Sequence, residues 1–130
     1  MTGRLQFNRH FTLEEARALV PFVREQFRKL QEIRERLGLT AQEMQELTRA
    51  APGNGGGKRS AEYLENILQA NAILQAILDR GILVKDVNSG LVDFPHLRDG
   101  REVFLCYHVG EDTVMYFHEL DAGFAGRQPV

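Results

Sequence analysis

The sequence predicts an α+β domain in which an N-terminal antiparallel helical hairpin packs on a C-terminal antiparallel β meander of about four strands. Two observations carry that expectation. Before Gly81, apolar residues recur at three- and four-residue spacing, the period of one helix face. After it, short runs rich in β-branched and aromatic residues are separated by Asn-Ser-Gly, Asp-Gly and Gly-Glu-Asp turn signals.

With 130 residues the chain has the size of one domain, residues 1–130, able to bury a core without disulfides or metals. A hydrophobic fraction of 43% with 26% charged residues excludes disordered and fibrous classes. The formal net charge is −2, from interspersed acidic and basic residues, so no field draws in nucleic acid or an acidic membrane. No apolar stretch approaches the ~20 residues of a spanning helix, which argues against membrane integration. A single cysteine, Cys106, and the absence of a signal-like segment in MTGRLQFNRH point to the reducing cytoplasm.

The first helical region is expected over 12–50. Thr12-Leu-Glu-Glu15 has the form of a capping box, and Ala16, Val20, Val23, Phe27, Leu30 and Leu37 make one apolar stripe. Glu25 with Lys29 and Glu32 with Arg36 are spaced for i,i+4 pairs on the solvated side. Pro21 predicts a bend near Ala18, because an interior proline removes a backbone donor. Gly38 followed by a second capping box, Thr40-Ala-Gln-Glu43, predicts a break and a restart.

Residues 51–59 read as a flexible Gly-rich linker. They are not a phosphate-binding loop, since Pro52 replaces the first glycine and Arg59 the magnesium-binding hydroxyl. A second helix over 60–80, capped by Ser60 and stopped by Gly81, carries an apolar stripe from Tyr63 to Leu78. That stripe is wider than contact with one helix requires.

The β meander is expected over 82–118, with runs at 82–87, 91–94, 102–108 and 113–118, and a turn-rich tail over 119–130. A two-residue Glu111-Asp112 turn would place Val103, Leu105, Tyr107, Val114, Tyr116 and His118 on one face. Phe104, Cys106, His108, Met115 and Phe117 would then share the other. A sheet apolar on both faces needs two covers, and the helices supply one. Either the tail folds over the second face or another protomer covers it, so a homodimer is expected, with the helices free for a protein partner.

Candidate ligand-binding residues are Asp93, Asp99, Arg101, His118, Glu119, Asp121 and Arg127, which combine carboxylates, an imidazole and a guanidinium fork in the 93–102 loop and the tail. His108 and His118 are the candidate metal ligands. The expected register points them to opposite faces, and no HxH or HExxH spacing is present, so no metal or cofactor is predicted. Cys106, mid-strand among apolar neighbours, reads as a small hydrophobe and not as a nucleophile.

Several segments resemble a prokaryotic family known as domain of unknown function 2203: Phe11-Thr-Leu-Glu-Glu-Ala16, Gly90-Leu-Val-Asp-Phe-Pro95, Arg98-Asp-Gly-Arg-Glu-Val-Phe-Leu-Cys106, Gly110-Glu111 and His118-Glu-Leu-Asp-Ala-Gly-Phe-Ala-Gly-Arg-Gln-Pro129. The resemblance spans nearly the whole chain and is densest in its final third. Tyr107 and Phe117 stand near positions where many relatives carry tryptophan. The family transfers no activity, cofactor or catalytic residue. The function expected from the residues is therefore a small cytoplasmic non-catalytic assembly or ligand-binding domain. The alternative is a small hydrolase or metal-dependent enzyme whose site joins the tail to the 93–102 loop.

Overall fold

The computed structural model describes residues 5–49 and 61–130. The expected linker at 51–59 and the Ser60 cap lie outside the described residues. Within them, α1 (Leu13–Ala18), α2 (Val20–Leu37), α3 (Ala41–Arg49) and α4 (Ala61–Asp79) precede β1 (Leu83–Asp86), β2 (Leu91–Arg98), β3 (Arg101–His108), β4 (Tyr116–Glu119) and β5 (Gln128–Pro129). The five strands form one antiparallel sheet in chain order, so the architecture is α+β with helices first and strands second.

Local chemistry explains the helical boundaries. Thr12 Oγ1 accepts from the Glu15 amide at 3.0 Å while Glu15 accepts from the Thr12 amide at 2.8 Å, closing the first capping box. The helix breaks at Leu19, and Pro21 sits in the first turn of α2, where an amide has no intrahelical partner to lose. Gly38, with φ of 64°, ends α2, and the Thr40–Glu43 box opens α3. Arg28, rather than Lys29 and Arg36, holds the exposed glutamates of α2, Glu25 at 2.7 Å and also Glu32, because it lies one turn from each. Such exposed pairs contribute little.

Helices α2 and α4 run antiparallel. Arg36 near the end of α2 donates to Asn66 near the start of α4 at 2.5 Å, and the Arg80 guanidinium just past α4 stacks on Phe22 at the start of α2. Between the helices and the inner sheet face lies the core, with Val23, Phe27, Leu30, Ile73 and Ile77 packed against Val92, Phe94, Val103, Leu105, Tyr107 and Phe117. The surplus width of the α4 stripe is real: Leu64, Leu68 and Leu78 remain exposed. Among the described residues no helix is long and apolar enough to cross a membrane.

Strand β2 runs past Pro95, farther than the 91–94 run, because β1 ends opposite Asp93 and the missing proline amide has no ladder partner there. The Phe11 amide instead donates to the Pro95 carbonyl at 2.7 Å. At the β2–β3 turn, Asp99 and Gly100 take φ of 53° and 78°, the left-handed pair that a two-residue hairpin with native twist demands.

The β3–β4 connection departs from expectation. Glu111 and Asp112 do not form a two-residue turn; a wide loop runs from Val109 to Met115, and β4 begins only at Tyr116. Two helical arginines fix its path. Arg24 donates to the Tyr107 hydroxyl at 2.9 Å and to the carbonyls of Glu111 and Asp112 at 2.8 and 3.0 Å, while Arg17 donates to the Val114 carbonyl at 3.0 Å. The ladder then pairs Phe104 with His118, Leu105 with Phe117 and Cys106 with Tyr116. This one-residue slip exchanges the faces of β4, so Tyr116 and His118 join Phe104 and Cys106 on the outer face and Phe117 enters the core.

Candidate functional site under the tail

The outer face of the sheet is covered within the chain. From one side the N-terminal segment lays Phe7 edge-on against Phe104, with ring centroids 5.4 Å apart. From the other side, the tail brings Leu120, Gly123 and Phe124 over the sheet, and a cavity of about 170 Å³ remains beneath them. Of the two covers expected for this face, the tail supplies one within the chain.

Glu102 clasps the N-terminal segment. Its carboxylate accepts from the amides of Gln6 and Phe7 at 2.7 and 3.0 Å and bonds His10 Nε2 at 2.8 Å. Burial pushes its pKa up, but the hydrogen bonds from Gln6, His10 and Phe7 outweigh that and leave it below the ordinary 4.5. A carboxylate depressed in the fold stabilises it above 4.5, and that contribution fades as pH falls through 4.5 and below. Glu102→Gln is accordingly expected to cost about 1–3 kcal/mol at neutral pH. Urea unfolding of both proteins should show the gap closing on acidification; a gap independent of pH would contradict the clasp.

At the cavity floor three strands each contribute one side chain. Asp93 on β2 and Cys106 on β3 are direct cross-strand partners, and His118 on β4 lies diagonally across from Cys106. All three residues are buried, at 1%, 0% and 2% exposure. One ligand atom from each lies within 4.8 Å of the others. His118 Nε2 meets both Asp93 carboxylate oxygens at 3.1 Å, and its Nδ1 meets the Glu119 carbonyl at 2.8 Å. Because that carbonyl can only accept, Nδ1 carries a proton, and Nε2 also faces an acceptor. A second proton or a cation is needed between Nε2 and the carboxylate.

Burial raises the Asp93 pKa, against the opposing pull of His118 and Lys85. It also pushes the Cys106 thiol up to about 12, with the Asp93 charge adding to the effect. Leu91, Phe104, Leu120 and Phe124 supply apolar walls, and the exposed Lys85 closes the rim, its ammonium 5.2 Å from the Phe104 ring centre.

Of the residues expected to bind a ligand, the fold brings Asp93 and His118 together. Arg101 and Glu119 form an exposed ion pair of 2.8 Å, and Asp99 and Asp121 are exposed at turns. Arg127 is engaged by the Glu111 carboxylate and lies over the rings of Tyr116 and Phe124 at 4.0 and 4.5 Å, so its fork is already occupied. His108 shares the outer face with His118 after all, contrary to the expected register. It packs edge-on to Phe124 and is four residues along β3 from the partner of His118, roughly 13 Å away. The two histidines cannot hold one ion. Cys106 and Lys85 were not legible as site residues. A carboxylate inside the apolar run Leu91-Val-Asp-Phe94 was the available signal, and only strand pairing reveals its partners.

A larger groove of about 450 Å³ lies between α3, α4 and β1, but its lining is apolar apart from Gln45, Thr48, Arg49 and Lys85 and brings no buried ionisable group with it.

The family model described as Uncharacterized conserved protein (DUF2203) matches residues 9–130. The chain belongs to that family. No curated protein and no solved structure matches it. In this DUF2203 member the matched region contains the whole Asp93–Cys106–His118 cluster and the tail above it.

Proposed function

We propose that this protein is a non-catalytic small-ligand-binding domain whose site is the cavity between the outer sheet face and the tail. The observation that carries the reading is the coincidence of a cavity with a buried Asp93–His118 pair at its floor. An engineered apolar cavity of about 150 Å³ admits benzene, so a cavity of about 170 Å³ suits a ligand of one ring or its polar equivalent. A hydrolase with Cys106 as nucleophile is less well supported, since a thiol pushed up to about 12 is almost wholly protonated at neutral pH. In this reading the setting is the reducing cytoplasm, where Cys106 stays a thiol.

Ligand-observed NMR with benzene, benzoate and benzamidine, as neutral, anionic and cationic ring probes, tests the proposal. At least one probe should show saturation transfer with the wild type and lose it with Leu120→Trp, which fills the cavity. No transfer from any of the three, or equal transfer in both proteins, would contradict it.

A further inference from the structure

We propose that Asp93, Cys106 and His118 form a three-donor site for a zinc-class divalent cation, with its fourth coordination position open to the cavity under the tail. This deepens the ligand-binding reading and rests on it, because the ion is reached through the same cavity.

Three features of the site support it. The first is the donor set: one thiol sulfur, one imidazole nitrogen and one carboxylate is the borderline-soft mixture that selects zinc-class ions over magnesium or calcium. The second is spacing. Bonds of about 2.0–2.3 Å around a tetrahedral ion separate its donors by roughly 3.3–3.7 Å. The Nε2–carboxylate distance is 3.1 Å and the whole set lies within 4.8 Å, so small side-chain adjustments suffice. The third is orientation. Nδ1 donates to the Glu119 carbonyl, which fixes the ring and directs the Nε2 lone pair at Asp93, the arrangement in which metal-bound histidines are held. A cation there resolves the facing of Nε2 and a carboxylate, both electron-pair donors.

All three donors stand on paired strands rather than on loops, so the site is held by the sheet. On binding, the Cys106 thiol and the His118 Nε2–Asp93 pair each release one proton to solvent, so that the sulfur bonds as thiolate, Nε2 through its lone pair and Asp93 as carboxylate.

Cobalt(II) titration of the full-length, untagged, chelator-treated protein under reducing conditions tests the assignment. One equivalent should bind and give the intense visible bands of a tetrahedral ion with a near-ultraviolet thiolate-to-cobalt charge-transfer band. Zinc should displace it and raise the melting temperature. Cys106→Ser, the variant that disturbs packing least, should abolish the charge-transfer band, and His108→Ala should leave the spectrum unchanged. Losing only an outer partner of a metal ligand costs about 10–100-fold in affinity, so His118→Ala should lose more than about 100-fold. A weak spectrum without charge transfer, unaltered in Cys106→Ser, would mean surface binding only and would overturn the proposal. Absence of cobalt binding alongside retained binding of a ring probe would overturn the metal assignment while the cavity reading stands; absence of both would remove both.

Discussion

His118→Ala is expected to destabilise the metal-free protein by about 3–5 kcal/mol at neutral pH, the largest single-residue effect anticipated here. The side chains of His118 and Asp93 are 3% and 2% exposed, and Nε2 is the partner of both carboxylate oxygens. Removing the ring leaves a carboxylate in a low-dielectric site facing Cys106 and apolar walls, with the exposed Lys85 as the cationic neighbour. The loss comes from the stranded partner more than from the attraction removed. Replacing both members with apolar residues, Asp93→Leu with His118→Leu, should therefore recover most of it. Urea denaturation of Asp93→Leu, His118→Leu and the variant carrying both makes a thermodynamic cycle. A coupling of several kcal/mol supports the pair as described, and additive costs would show that the two residues do not depend on each other.

Gly90→Ala is expected to cost about 2–5 kcal/mol. Gly90 has φ of 77°, where an L side chain loses roughly 1–2 kcal/mol, and it is buried. A Cβ there would lie 2.6 Å from Val109 Cγ2 and 3.3 Å from the Phe27 ring, so the start of the wide loop or the core would have to shift, at about 1–3 kcal/mol. The same residue ties the β1–β2 turn to that loop: its amide donates to the Asp86 carbonyl at 3.0 Å, and its carbonyl accepts from Val109 at 2.9 Å. Adding Val109→Ala removes the contact with Cγ2 but leaves the Val109 Cβ 2.9 Å away and the backbone strain in place, so chemical denaturation should show partial rescue. Full rescue, or a loss below about 0.5 kcal/mol for Gly90→Ala alone, would contradict the geometry.

Features legible in the sequence were those whose partners lie within a few residues. Both capping boxes, the break before Pro21, the Gly38 stop and the Asp99-Gly100 turn are each determined by a local hydrogen bond or a local dihedral. The β3–β4 register is different in kind. Gly110-Glu111-Asp112 has the composition of a tight turn, yet the loop opens because Arg17 and Arg24, more than 80 residues earlier in the chain, hold its carbonyls. With β4 slipped by one residue, His118 moves from the helix-covered face to the tail-covered one. The ionisable cluster could not be assembled from sequence for that reason: Asp93 and His118 were visible as candidates, but the register that unites them with Cys106 is set by tertiary contacts. Glu102 illustrates the same limit. It reads as one more charge in a loaded turn, and its role appears only when Gln6, Phe7 and His10 meet it from the far end of the chain.

If the slipped register gathers Asp93, Cys106 and His118 into a metal-binding site beneath the tail, a bound zinc ion lies buried among them. Anomalous diffraction at the zinc absorption edge, from crystals of the untagged protein grown with zinc, tests it most directly. One buried peak is expected, bonded to Asp93, Cys106 and His118 at about 2.0–2.3 Å, on the sheet face opposite the helices. Peaks confined to the protein surface, or His118 found on the helix-facing side of β4, would contradict it.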